Sequence, residues 1–210
     1  MEEIKLLGKK IIMEKSPLLL QYSPSDNWKE YWDVKSGNWY CDGEWLIGDE
    51  PENRGGILFS KKFYEEDVMM TFNIKTSLPA TRDLNGVFCA NWNEETDYLG
   101  TSYVCGLNGW YEHKSGIEKS APGPEGRLYS TTTLYDYNPG RLIKMTFGAI
   151  EGHCFMVVDG KLVTELVDPN PIKGGHIGFS AYCTKLMIKD IEIRKIYWEE
   201  FRQRYEPEYW

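Results

Sequence analysis

The chain has 210 residues, room for one sizeable hydrophobic core, and carries 24 basic against 32 acidic residues for a formal charge of −8. The basic residues are scattered among acidic ones, so there is no electrostatic footprint for a phosphate backbone and nucleic acid is not expected as a partner. An aromatic fraction of 14% with 20 glycines and 10 prolines accompanies short β-rich runs, while helix-period stripes are almost absent, which predicts strands joined by turns.

The opening stretch MEEIKLLGKKIIMEKSPLLLQY mixes charges into every apolar run. It offers no secretory leader and nothing of membrane-spanning length, so a cytoplasmic protein without a membrane partner is expected. Five cysteines (Cys41, Cys89, Cys105, Cys154 and Cys183) are odd in number and lack a CxxC pair, which suits reduced thiols. Next, WDVKSGNWYCDGEWLIGDE holds turn signals at Ser36-Gly37-Asn38 and Cys41-Asp42-Gly43 between aromatic-rich strands. GGILFSKKFYEEDVMMTFNIKT then reads as a hairpin pair, with Glu65-Glu66-Asp67 as a solvated turn.

The second half is the more regular. RLIKMTFGAIEGHCFMVVDGKLVTELVD reads as strands turned near Glu151-Gly152 and at Asp159-Gly160, where Asp-Gly tolerates the positive φ of a tight hairpin. In LMIKDIEIRKI, the residues Leu186, Ile188, Ile191, Ile193 and Ile196 need one irregularity, at Lys189-Asp190, to share a face. The tail YWEEFRQRYEPEYW places Tyr197, Phe201 and Tyr205 four apart, which predicts a short C-terminal helix over 197–210. One domain over 1–210 is expected, with its core at about 25–196.

Several motifs carry a resemblance: Trp32-Asp33 followed by Gly37-x-Trp39, the hairpin Asp159-Gly160-Lys161-Leu162, Asp168-Pro169-x-Pro171 leading into Gly175-x-Ile177-Gly178-Phe179, and the closing Ile188-Lys189-Asp190-Ile191-Glu192-Ile193. Together they resemble the concanavalin A-like lectin/glucanase jelly roll. Within it they are most similar to the bacterial 3-keto-disaccharide hydrolase-like domains and a neighbouring family found beside pectin-degrading enzymes. The resemblance implies an all-β sandwich of two antiparallel sheets that binds or cleaves glycans on one sheet face or at its rim.

Residue chemistry in the middle of the chain points the same way. A saccharide site needs aromatic rings for C–H faces and polar side chains for hydroxyls. The run NGVFCANWNEETDYLGTSYVCGLNGWYEHKSGIEK supplies Asn91, Trp92, Tyr98 and Trp110 as candidate binding residues, with Trp92 and Trp110 as stacking platforms. If GWYEHKSG is a strand, Tyr111 and His113 share a face and can serve as acid and base, with Glu112 between them. Arg127, in PGPEGR, is the candidate carboxylate or hydroxyl binder, and Arg82 and Arg141 are further cations.

This set suits elimination from a uronic or oxidised sugar. Hydrolysis by two carboxylates is the rival chemistry, with Glu94, Glu95, Asp97, Glu112 and Glu118 as donors. A non-catalytic lectin-like module is the alternative to an enzyme. No metal or other cofactor is expected: the histidines, at 113, 153 and 176, lack zinc spacing. Calcium at Asp49, Glu50 or Glu52, or at Asp168 and Asn170, stays open, as does a homodimer. The expected partner is an oligosaccharide.

Overall fold

The computed structural model describes residues 3–24, 27–51, 55–110, 114–120 and 128–202. Its strands are, in chain order, β1 (Glu3–Leu6), β2 (Lys9–Ile12), β3 (Leu18–Tyr22), β4 (Trp32–Val34), β5 (Asn38–Asp42), β6 (Trp45–Glu50), β7 (Gly56–Ser60), β8 (Val68–Thr76), β9 (Leu84–Ala90), β10 (Trp92–Asn93), β11 (Tyr98–Leu99), β12 (Ser102–Leu107), β13 (Ser115–Ser120), β14 (Leu128–Thr132), β15 (Ile143–Ile150), β16 (His153–Val158), β17 (Lys161–Val167), β18 (His176–Ala181), β19 (Thr184–Lys195) and β20 (Trp198–Glu200).

Two antiparallel sheets form the sandwich, one of seven strands ordered β14-β13-β12-β9-β18-β7-β4 and one of eight ordered β17-β16-β15-β8-β19-β6-β5, with β3 beside β19. Between them lies an aromatic core. Phe72 meets Phe147 edge-on at 5.6 Å and Phe179 at 5.0 Å, and Phe88 packs on Phe147 at 5.3 Å. All four rings are shut from solvent, each contributing about 1.5–3 kcal/mol by burial. Gly86 makes this fit possible, since a Cβ there would stand 2.0 Å from the Phe147 ring.

Local turn chemistry works as the sequence expects. Glu151 and Gly152 take φ of 51° and 83°, and Asp159 and Gly160 take 49° and 82°, so paired left-handed residues close β15 to β16 and β16 to β17. In β19 the register shifts between Lys189 and Glu192, with Asp190 at φ 54°, and this bulge turns Leu186, Ile188, Ile191 and Ile193 all into the core. Ile196 departs from that set. Three residues beyond Ile193, it falls on the opposite side and packs with Ile4, Leu6 and Ile11.

The hairpin expected of β7 and β8 does not form. β7 lies between β18 and β4, whereas β8 lies between β15 and β19, and residues 61–67 carry the chain from one sheet to the other. Alternation makes each run a strand without saying which sheet it joins. The tail also differs from the helix expected: over the described residues, Trp198–Glu200 is a strand paired with β2, with Lys9 over the Trp198 ring at 5.3 Å. Cross-strand pairing and burial of the Trp198 flank override the four-residue spacing.

β1, β2 and β20 form a third layer. Ile4, Leu6 and Ile11 cover Met69, Ile150, Phe155 and Val157 on the outer face of the eight-stranded sheet. The hairpin β10–β11 makes a smaller cover on the other side of the sandwich. Trp92 and Leu99 pack over Ile57, Phe59, Val87 and Val104, the residues of the seven-stranded sheet that point away from the core.

Candidate functional site

Beside that hairpin the described residues leave the outer face of the seven-stranded sheet open. Period-two alternation decides which residues reach it: Leu58, Phe88 and Tyr103 enter the core, so their neighbours Ile57, Val87 and Val104 face outward. Register then aligns Asn85 with Ser180 on one side and Gly106 on the other, and Glu118 with Val104. Asn85, Val104, Glu118 and Ser180 floor a cleft of about 350 Å³. Its walls come from connections: Asp83 before β9, Tyr98 on the hairpin, Gly109 and Trp110 after β12, and Tyr182 after β18.

The polar centre is the pair Asp83 and Asn85, only 3% and 7% exposed. Asn85 Nδ2 donates to Asp83 Oδ1 at 3.3 Å, and Arg82 Nε donates to Asp83 Oδ2. Asp83 takes φ 59°, a left-handed conformation that Asp tolerates better than most residues. Burial pushes its carboxyl above the ordinary range, and Arg82 and Asn85 only partly oppose this. Among the described residues, Asn85 Oδ1 has no hydrogen-bond partner. An orphaned buried acceptor costs about 1–3 kcal/mol, a burden characteristic of residues kept for function.

Glycine makes room for this amide. A Cβ on Gly106 would stand 1.9 Å from Asn85 Oδ1, and one on Gly109 would stand 3.1 Å from both Asn85 Oδ1 and Asp83 Oδ1. Any side chain at Gly106 would displace the group.

The aromatic walls are oriented by polar contacts. Trp110 Nε1 donates to Glu118 Oε2 at 2.8 Å, which fixes the indole across the end of the cleft. Tyr98 and Tyr182 converge near Gly55, where a Cβ would lie 3.7 Å from the Tyr98 hydroxyl and from the Tyr182 ring. Burial, then Tyr182 and Glu118 nearby, raise the Tyr98 phenol above its ordinary range, so it stands protonated as a donor.

Of the residues expected from sequence, Tyr98 and Trp110 line the cleft, and Glu118 lies in its floor. Trp92 instead packs edge-on to Phe59 at 6.3 Å beneath the hairpin. Asn91 serves the hairpin base, its Nδ2 donating to Thr101 O at 3.3 Å and its carbonyl accepting from Gly100 N at 2.8 Å. Tyr111, Glu112, His113 and Arg127 lie outside the described residues. His176 stacks on Phe59 at 5.4 Å, and His153 meets Glu165 Oε1 at 3.0 Å under the third layer. Arg141 pairs with Asp159 at 2.8 Å on the other sheet. Asp83, Asn85, Ser180 and Tyr182 come together only in the fold.

Two of the carboxylates considered for calcium have partners within the protein. Asp49 pairs with Lys185 at 2.8 Å, Asp168 accepts from Tyr103 and Lys119 at 2.7 Å and from Asn170 N at 2.9 Å, and Glu52 lies outside the described residues. Among the described residues, no group of three or more His, Cys, Asp or Glu side chains is placed to hold a metal ion.

These strands and their order define a concanavalin A-like, galectin-like jelly roll. The sequence matches no family model and no curated protein. Solved structures do share the architecture. A Bacillus subtilis protein of unknown function with a galectin-like fold is 13% identical at a TM-score of 0.64, covering 87% of this chain and 98% of its own. The carbohydrate-binding module CBM66 of Bacillus subtilis is 12% identical at 0.63, covering 78% of this chain and 94% of its own. The exoplasmic/lumenal domain of VIP36, bound to Ca2+ and Man3GlcNAc, is 12% identical at 0.61, covering 85% of this chain and 91% of its own. At such identity the likeness is one of fold.

Proposed function

We propose that this chain binds carbohydrate in the cleft on the outer face of the seven-stranded sheet. One observation carries the reading: Tyr98, Trp110, Tyr182 and Asp83 wall a hollow whose floor holds Asn85, Glu118 and Ser180. Aromatic rings suit the C–H face of a pyranose, and an unpartnered amide oxygen beside a buried carboxyl suits its hydroxyls. The carbohydrate-binding module and the Man3GlcNAc-bound VIP36 domain among the fold neighbours support this reading by analogy.

The test is titration of tryptophan fluorescence with a panel of neutral and uronic oligosaccharides. Saturable quenching is expected in the native chain, weakened at least tenfold in Asn85→Ala. A flat response to every sugar sinks the proposal.

Cleavage of a glycosidic bond is the second reading, favoured by the two carboxyl side chains in one cleft. Asp83, its carboxyl pushed up by burial, is suited to a proton donor, with Glu118 as the second carboxyl side chain of the cleft. Elimination from a uronic or oxidised sugar belongs to the same proposal and rests on His113, Tyr111, Glu112 and Arg127, outside the described residues. Kinship with the 3-keto-disaccharide hydrolase-like domains, drawn from the sequence motifs, belongs with it. Mass spectrometry of incubated oligosaccharides decides: a product lost in Asp83→Asn makes the chain an enzyme, and unchanged sugars leave a binding module. A cytoplasmic location is likewise proposed, and cell fractionation tests it.

A further inference from the structure

We infer that the cleft continues past Trp110 into a second subsite, so that its ligand is an oligosaccharide laid across the strands rather than a single sugar. This rests on the carbohydrate reading of the first hollow. A second cavity, of about 490 Å³, shares Trp110, Glu118 and Ser120 with the first and extends over β13 and β14 to Tyr129 and Thr131. The two hollows therefore share one wall, the indole that Glu118 holds at 2.8 Å.

Register places the second floor on the same face as the first. Glu118 is aligned with both Val104 and Tyr129, and Gly116 with both Gly106 and Thr131. Tyr129 is 69% exposed, an aromatic ring standing in water at the far end of the second hollow. Its ring offers a stacking surface to a sugar. Lys119 borders the cavity, but its ammonium is committed to Asp168 at 2.7 Å, so its charge is not offered to the hollow.

Dimensions agree with a chain-shaped ligand. From Ile57 on β7 to Tyr129 on β14 the lined path crosses five strand spacings, about 24 Å, longer than any one sugar ring. Among the described residues β14 is the last strand of its sheet, so no further strand of that sheet bounds the path there. A glycan could extend beyond Tyr129 without meeting another strand of that sheet.

Calorimetry with ladders of neutral and uronic oligosaccharides, from monosaccharide to tetrasaccharide, tests this directly. In the native chain, affinity should climb by about five- to tenfold as the ligand grows long enough to reach Tyr129. Tyr129→Ala should abolish that climb while leaving monosaccharide affinity unchanged, and Tyr129→Trp should restore it. Asn85→Ala should weaken every rung alike. A ladder that stays flat while the monosaccharide binds, or a Tyr129→Ala loss equal at every length, overturns the second subsite alone. Silence at every length overturns the carbohydrate reading and the subsite with it.

Discussion

The two outer faces of the sandwich meet water in opposite ways. Over the eight-stranded sheet, Ile4, Leu6 and Ile11 of the third layer seal Met69, Ile150, Phe155 and Val157. Over the seven-stranded sheet, the hairpin stops after covering Phe59 and Val87, and beyond it lies an open hollow of aromatic and polar side chains. The same architecture thus has one outer patch sealed by a third layer and, on the opposite face, a hollow that the described residues leave open. The contrast is also visible in two buried carboxylates. Asp168 sits between the sheets: burial pushes its carboxyl up, yet Lys119, Tyr103 and the Asn170 N–H together hold it below the ordinary range. Asp83, at the cleft, has fewer donors and is left above that range.

This difference can be broken from the sealed side first. Phe155→Ala should cost about 3–5 kcal/mol in urea unfolding, since a fully buried ring leaves a cavity, with sugar affinity unchanged. An affinity loss matching the stability loss would mean that the faces are not independent. Asp168→Asn should come next, at about 3 kcal/mol near neutral pH, because it leaves the Lys119 ammonium without its charged partner. Gly106→Ala should cost about 1–3 kcal/mol by crowding the Asn85 amide, yet abolish ligand binding measured by fluorescence.

The smallest effect on stability is expected from Asp83→Asn, and its pH dependence is opposite in sign to that of Asp168. A carboxyl whose folded pKa is depressed stabilises the protein above its unfolded pKa, so the Asp168 contribution is lost as pH falls through its lower folded value. A raised one stabilises below its unfolded pKa, so the Asp83 contribution is lost as pH rises through its higher folded value. Urea unfolding monitored from acid to neutral pH should therefore show Asp168→Asn converging on the native chain in acid. Asp83→Asn should draw level with or exceed it toward neutrality. Parallel curves for both variants would end the distinction.

What could be read in the sequence was local. Asp159-Gly160, Glu151-Gly152 and the irregularity at Lys189-Asp190 are fixed by the φ values those residues accept, and neighbours along the chain suffice to find them. The partition of strands between sheets was not legible, because β7 and β8 alternate equally well as a hairpin or as members of separate layers. Within the site, Tyr98 and Trp110 stood out because rings among polar residues mark wet surfaces. The same signature misleads at Trp92, whose ring caps Phe59. Asn85 and Ser180 face each other across paired strands but lie far apart in sequence, each inside a short apolar run that reads as core. The nearest local hint was the glycine spacing of Gly106 and Gly109, whose missing side chains only make sense once the Asn85 amide fills the space.

The third layer has a practical corollary for handling the molecule. It joins the first strands of the described chain to the last, with Lys9 aligned to Glu200 and Lys10 to Glu199, so both ends of the fold emerge on the face away from the cleft. A sensor chip or resin attached through β1 or β20 would therefore hold the molecule by its back and leave the cleft facing whatever flows past.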